Sequence, residues 1–378
     1  MTKAAELAKM GEVLTNSQIG GRRNIIINSK MEISQRATSV TGITTGGFHT
    51  VDRFYFGTNG RDEGVYTNAQ VSDAPSGFSS SFKVTTTTAE SAIDANDLIW
   101  VAQRIEAQDL QQLKNGSSDA EKVTLSFYVK SSITGTFGVN LYKSDNTGRI
   151  INATYSISSA NTWEQKVITF DGDTSGGGID NDNGEGLRVV WHLASGSDYD
   201  SVNSTSWANY STTNWAGGHA QDGVITTTNA TWQLTGVQLE VGDFPSGTPF
   251  EHRSFGEELE LCKRYFERIF RGGNAPQGTE RTALGAGVWY QDSQVLSNVA
   301  FSTKRAAPTV TQSETGALGC YGSGFFRTST DSTPFDSITP NSMRLNINSF
   351  NSNGTQGDGT YVQLVTNNSS NISIDAEL

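Results

Sequence analysis

The chain has 378 residues, of which 35% are hydrophobic and 17% charged, enough bulk for two or three domains but little of the charge of a cytosolic enzyme. Its formal net charge of −12 argues against binding to a phosphate backbone, which needs Lys and Arg in excess. Aromatic residues at 10% argue against wholesale disorder, and no apolar run reaches the ~20 residues of a membrane-spanning helix.

The N-terminal segment, residues 1–23, reads as a short amphipathic helix. Ala4, Leu7, Ala8, Met10, Val13 and Leu14 recur at helical spacing among Lys3, Glu6, Lys9 and Glu12, and Gly20-Gly21 ends the pattern. So short a helix is marginal alone. Leu7, Met10, Val13 and Leu14 are therefore assigned to attachment or oligomerisation, with a frayed tail as the competing reading. No signal-peptide core is evident, which predicts synthesis in the cytoplasm and release by another route.

From Asn24 the period changes to two. Val123, Leu125, Phe127 and Val129 alternate with Thr124, Ser126, Tyr128 and Lys130. Leu187, Val189, Trp191 and Leu193 repeat the pattern, as do Trp232 and Leu234, then Val237, Leu239 and Val241 after a one-residue shift at Thr235-Gly236. One apolar face per strand means antiparallel strands packed on a second sheet, and the shift predicts a bulge. Residues 24–253 are read as one jelly-roll β-sandwich.

Ser254 and Glu257 have capping-box spacing. Leu259, Cys262, Phe266 and Ile269 then fall on one helical face, with Arg268 and Arg271 at the end and Gly272-Gly273 as the stop. This predicts a connecting helix over 254–273. Alternation returns at Met343, Leu345 and Ile347 and at Ile372, Ile374 and Ala376, so 274–378 is read as a smaller β-sandwich. The expected class is mainly β, with two jelly-roll-like sandwiches. Cys262 and Cys320 are expected to be reduced and packed.

The chemistry is sparse. GxSxG, HExxH, CxxC and phosphate-loop motifs are missing, and His49, His192, His219 and His252 have no ligand spacing. His192 is expected at a surface or loop-covered position opposite Trp191. Asp171, Asp173, Ser175 and Gly176 match the opening of a calcium loop, but position twelve is Asp182 rather than Glu. Asp180 and Asp182 would complete a looser site, and a solvated acidic turn is the alternative. No carboxylate pair suited to glycoside hydrolysis stands out, so a non-enzyme without cofactor is expected.

The loop SDYDSVNSTSWANYSTTNWAGGHAQDG carries Trp207, Tyr210, Trp215 and His219, more rings than so polar a segment buries by itself. Stacked on sugar rings, with Asn209, Asn214 and Asp222 as hydrogen-bonding neighbours, they form a candidate ligand site; packed on the sandwich or on another subunit, they are structural.

The run NIIINSKMEISQRATS followed by VDRFYF resembles the opening motif of jelly-roll modules in phage tail fibres, especially of marine phages; the matching residues are Asn24, Asn28, Gln35, Arg36, Asp52, Arg53 and Phe54. The run TGVQLEVGDFPSGTPFEHRSFGEELELCKRYF is similar to the family's closing strand, turn and helix through Gln238, Leu239, Glu240, Pro249, Phe250, Glu251, Arg253, Glu257, Cys262, Arg264 and Tyr265. The terminal SIDAEL also looks like the ending of such fibres. The resemblance implies a virion protein of the tail, made in the host cytoplasm and homotrimeric. Its N-terminus would attach to a tail adaptor or tube protein, and its distal modules would meet a host surface glycan or receptor. Some related jelly rolls hold a structural calcium beside the first and last strands, which points to Glu32 and Glu240. A capsid decoration or tail adaptor without ligand and a glycan depolymerase are the alternatives.

Overall fold

The computed structural model describes residues 23–270, 282–322, 325–350, 354–364 and 370–378. The expected N-terminal helix with Leu7, Met10, Val13 and Leu14 lies outside them. The chain forms two compact units, Met1–Glu258 with Leu378, and Leu259–Glu377.

The first unit is built from β1 (Ser39–Ile43), β2 (Tyr55–Asn59), β3 (Val65–Val71), β4 (Ser81–Thr88), β5 (Leu98–Glu106), β6 (Val123–Ser131), β7 (Gly135–Lys143), β8 (Arg149–Ile157), β9 (Glu164–Phe170), β10 (Glu185–Ser195), β11 (Ala208–Asn209) and β12 (Thr231–Val241). They form two six-stranded sheets, in the orders β1-β3-β4-β12-β6-β9 and β11-β8-β7-β10-β5-β2, and every pairing is antiparallel. The chain passes repeatedly from one sheet to the other, as in a jelly roll.

Alternation explains the packing. Leu187, Val189, Trp191 and Leu193 of β10 all face inward and are buried, as are Val123, Leu125, Phe127 and Val129 of β6. Phe127 meets Tyr155 of β8 at 5.1 Å and Trp191 at 5.8 Å, both edge-on, and Trp232 Nε1 donates to Tyr155 Oη at 3.2 Å. Each such side chain gains about 1.5–3 kcal/mol on leaving water, and a one-residue slip would turn the whole row outward, so the pattern sets the register. The register of β12 against β6 shifts between Thr235 and Gln238, where Gly236 has φ of 59°.

The residues that carry the tail-fibre resemblance are mostly stitches between the ends of this unit. Glu251 accepts from the backbone N–H of Asn24 at 2.9 Å, Asn24 Oδ1 accepts from Leu239 N at 3.1 Å, and Arg253 donates to the carbonyls of Ile26 (2.9 Å) and Asn24. Asn28, at φ 56°, donates to the carbonyls of Ile33 and Asp52. Gln35 donates to Asp52 Oδ2 at 2.6 Å, and Arg53 donates to Arg104 O at 2.6 Å. Buried backbone groups must find partners, and these polar side chains supply them where β pairing does not.

The second unit contains β13 (Phe266–Phe270), β14 (Thr282–Gln291), β15 (Gln294–Ala300), β16 (Thr309–Gln312), β17 (Leu318–Gly322), β18 (Phe325–Thr328), β19 (Phe335–Asp336), β20 (Ser342–Ile347), β21 (Gly359–Leu364) and β22 (Asn371–Asp375). A three-stranded sheet, β13-β22-β16, and a seven-stranded sheet, β18-β17-β21-β14-β15-β20-β19, share one core. That core joins Ile372 and Ile374 to Trp289, Val295, Cys320, Met343, Leu345 and Ile347. Cys262 and Cys320 are free and buried.

The connecting helix differs from expectation. Ser254 Oγ accepts from Glu257 N at 3.3 Å, so the cap forms, but the helix covers only Phe255–Lys263. The chain turns at Cys262–Tyr265 and enters β13, where Phe266 to Phe270 pair with Asp375 to Asn371 of β22. A ladder contributed from a hundred residues away outweighs the local helical spacing of Phe266 and Ile269.

Candidate functional site

The site lies on the outer face of the β11-β8-β7-β10-β5-β2 sheet. Arg104 of β5, Arg188 of β10 and Tyr142 of β7 stand in one cross-strand row. Trp100 of β5 stands opposite Gly57 of β2, which leaves room for the indole. After β10 the chain folds back over this face through α1 (Ser197–Asp200), β11, a 3-10 turn at Thr212–Asn214 and α2 (Gly223–Thr226). Backbone bonds tie the segment down: Val202 N to Thr213 O at 2.9 Å, Tyr210 N to Gly148 O at 2.9 Å, and Ala216 N to Tyr199 O at 2.8 Å.

Sheet and loop together enclose a cleft of about 340 Å³. Its walls are the rings of Trp100, Tyr142, Tyr199, Tyr210 and Trp215, with Thr58, Asn59, Leu98 and Arg188 between them. Tyr142, Tyr210 and Trp215 pack edge to face, with centroids 5.2–5.5 Å apart. The Arg188 guanidinium lies 5.7 Å from the Tyr142 ring and 5.8 Å from Trp215, held there by two 2.9 Å hydrogen bonds to Glu185. Burial raises the pKa of Tyr142 and of Tyr210, so both phenols stay neutral donors at physiological pH. Apolar ring faces edged by hydroxyls, an amide and a guanidinium suit a sugar ring, which has an apolar face and a hydroxylated rim.

Of the seven candidate ligand residues, Tyr210 and Trp215 line the cleft. The others hold the loop in shape. Asn214 accepts from Ser211 N at 2.9 Å and donates to Ser204 Oγ and Asn209 O. Asn209 Oδ1 accepts from Arg149 at 3.0 Å, and Asp222 Oδ1 accepts from Ser195 N at 2.9 Å. Trp207 Nε1 donates to Asp171 O at 2.6 Å and packs against the main core. His219 is buried, accepting from Gly138 N at 3.0 Å through Nδ1 and facing Asp222 at 3.4 Å through Nε2. Its neighbour His192 accepts from Asn140 Nδ2 at 2.9 Å beneath the loop; burial first, then the proximity of His219, depresses its pKa well below the usual histidine value.

The metal candidates do not converge. Asp173 is wholly buried between Lys143 Nζ and Arg149 Nη2, each at 3.1 Å. Burial alone would raise its pKa, but hydrogen bonds from Arg149 and Lys143 win and hold it below the carboxylate range. Asp173, held between two cations, is engaged in ion pairs rather than turned toward Asp180 and Asp182 as a loop ligand. Asp171 pairs with Lys122, Asp182 accepts from Gly184 N, and Asp180 N donates to Asp145. Glu240 is paired with Arg23 at 3.0 Å and Glu32 with Lys30 at 2.8 Å. Among the described residues no group of three or more His, Cys, Asp or Glu is placed to hold a metal ion.

Sequence reasoning missed Trp100, Tyr142, Tyr199 and Arg188. The signal was available for Tyr142 and Arg188, since alternation that turns Leu187 and Leu141 inward turns their neighbours outward.

No family model matches the sequence, and no curated protein matches it. Among solved structures, the chain is similar to the enzymatically active domain of tailspike protein 4 of bacteriophage CBA120, at 10% identity and a TM-score of 0.30 over 58% of this chain. It spans about a fifth of that protein, 21%. It is also similar to the family 11 carbohydrate-binding module of Clostridium thermocellum solved with a mixed-linked tetrasaccharide (10% identity, TM-score 0.27, 56% of this chain and 100% of that one). The CBM22-2 xylan-binding domain of Paenibacillus barcinonensis Xyn10C gives 13% identity and a TM-score of 0.27 over 49% of this chain and 91% of that one.

Proposed function

We propose that the first unit is a non-catalytic saccharide-binding module whose ligand lies in the cleft of Trp100, Tyr142, Tyr199, Tyr210 and Trp215. The observation that carries this reading is the convergence of five rings from β5, β7 and the covering loop on one open cleft, with Trp215 buried at its base and Tyr210 exposed at its edge. The residues lining it include no carboxylate, so the acid and base of a glycoside hydrolase are not supplied there. Binding to an array of bacterial surface glycans tests the reading. The chain should bind a subset of them, and Tyr210→Ala should weaken that binding roughly tenfold while the chain stays folded, the lost ring contacts with Tyr142 and Trp215 lowering the melting temperature only modestly. Binding that survives both Tyr210→Ala and Trp100→Ala would overturn it.

The role we assign to this module is that of a phage tail fibre, homotrimeric and attached to the tail through its N-terminus. The sequence resemblance supports this, and three copies would make weak sugar sites effective through avidity. Gold labelling of the C-terminus on intact particles tests the placement; label on the capsid lattice would refute it.

A further inference from the structure

The opposite sheet of the first unit carries a second cleft, of about 400 Å³, on the outer face of β6, β9 and β12. It is a built feature rather than a gap. At the β12 bulge a side chain on Gly236 would put Cβ 2.6 Å from Phe78 Cζ, so glycine is what allows Phe78 to lie across the sheet. Phe78 then packs on Tyr128 (5.4 Å), Phe250 (4.9 Å) and His252 (5.8 Å). The far wall is the turn at Gly247, φ 67°, closed by Gly247 N to Phe244 O at 2.7 Å. Thr248 fixes that wall to the sheet, accepting from Gln238 at 2.8 Å and donating to Glu240 at 2.6 Å.

We infer that this cleft is a second saccharide site, for one neutral sugar unit, independent of the first. The lining is free of carboxylates, lysines and arginines in a chain of net charge −12, so neither an anion nor a cation finds a counter-charge there. What it offers is ring surface beside uncharged hydrogen-bonding groups: the Tyr128 hydroxyl, the Gln165 amide, the His252 imidazole and the hydroxyls of Ser76 and Ser246. Among the described residues, the Gln165 amide and the His252 imidazole make no hydrogen bond within the fold, and both side chains are exposed, so their donors and acceptors are open to a ligand. A hydroxylated ring satisfies those groups and covers the aromatic edge at once.

The test follows the His252 ring protons by NMR while the full chain is titrated with glucose, galactose, mannose or N-acetylglucosamine to ~50 mM, well above millimolar affinity. At least one sugar is expected to shift them, equally in the wild type and in Tyr210→Ala, which damages only the first cleft. Gln165→Ala should weaken the response roughly tenfold while leaving the melting temperature nearly unchanged, because that side chain is exposed and makes no hydrogen bond within the fold. No shift with any of the four sugars, a Gln165→Ala titration equal to wild type, or a response to phenol but to no sugar would each overturn the assignment. Loss of the shift in Tyr210→Ala would show that the signal came from the first cleft and would overturn it too.

Discussion

Gly57→Ala tests how the fold makes the proposed cleft. β2 pairs with β5 so that Gly57 faces Trp100, and an added methyl would sit 2.0 Å from the indole Cε2 and 2.2 Å from Cζ2. Those atoms belong to a fused ring in the cleft wall, not to the tip of a flexible chain, so either the indole swings out or β2 and β5 part. Parting costs about 1–3 kcal/mol, the usual range for overpacking. A displaced indole forfeits an aromatic contact of about 1.5 kcal/mol, roughly tenfold in affinity. Urea unfolding and tryptophan-fluorescence titration with the glycan chosen on the array measure the two outcomes. Gly256→Ala is the control: nothing lies within 4 Å of its added Cβ, and in the helix Phe255–Lys263 it should be neutral or stabilising by up to about 1 kcal/mol. A Gly57→Ala chain equal to wild type in both stability and affinity would refute the reasoning.

Three more outcomes follow from the site's surroundings. Asp173→Asn leaves Lys143 buried without its anion and should cost about 3–5 kcal/mol in urea unfolding; a loss below about 1 kcal/mol contradicts the ion-pair account. His192 has its pKa depressed in the folded state by burial and by His219, while the unfolded chain protonates near 6.5. The unfolded state then binds the extra proton, so this contribution to stability is complete above that value and is lost as pH falls below it, by about 1.4 kcal/mol per unit. His192→Gln should flatten that slope relative to wild type, and an unchanged slope would place the titration elsewhere. Millimolar calcium should leave the melting temperature in place, since Asp173, Glu240 and Glu32 are already paired with cations; a rise of about 3 °C or more would reinstate a metal site.

The fold was legible where one periodicity acted alone. Met343 to Ile347 alternate cleanly and their burial follows, whereas in Leu187 to Leu193 the inward row is buried as expected but Val190 and His192 of the other face are buried too, under the covering loop. The helix does not extend past Lys263, although Leu259, Cys262, Phe266 and Ile269 share one helical face, because the deciding partner, β22, is contributed from the far end of the chain. The site was legible in part for a related reason. The aromatic loop announced itself by composition, but composition cannot separate Tyr210 and Trp215, which face the cleft, from Trp207, which faces the core. Trp100 and Tyr142 lie in strands far away in sequence and enter the site only through sheet order. The acidic loop misled for a further reason: Asp173 looked like a calcium ligand because Lys143 and Arg149, which neutralise it, belong to other strands.

The most direct test of the saccharide-binding account is a crystal structure of the chain with an oligosaccharide selected on the glycan array. The account predicts a sugar ring seated between Trp100 and Tyr210, with hydroxyls within hydrogen-bonding distance of Tyr142 and Arg188. A first cleft that stays empty while the oligosaccharide binds elsewhere on the chain would contradict it.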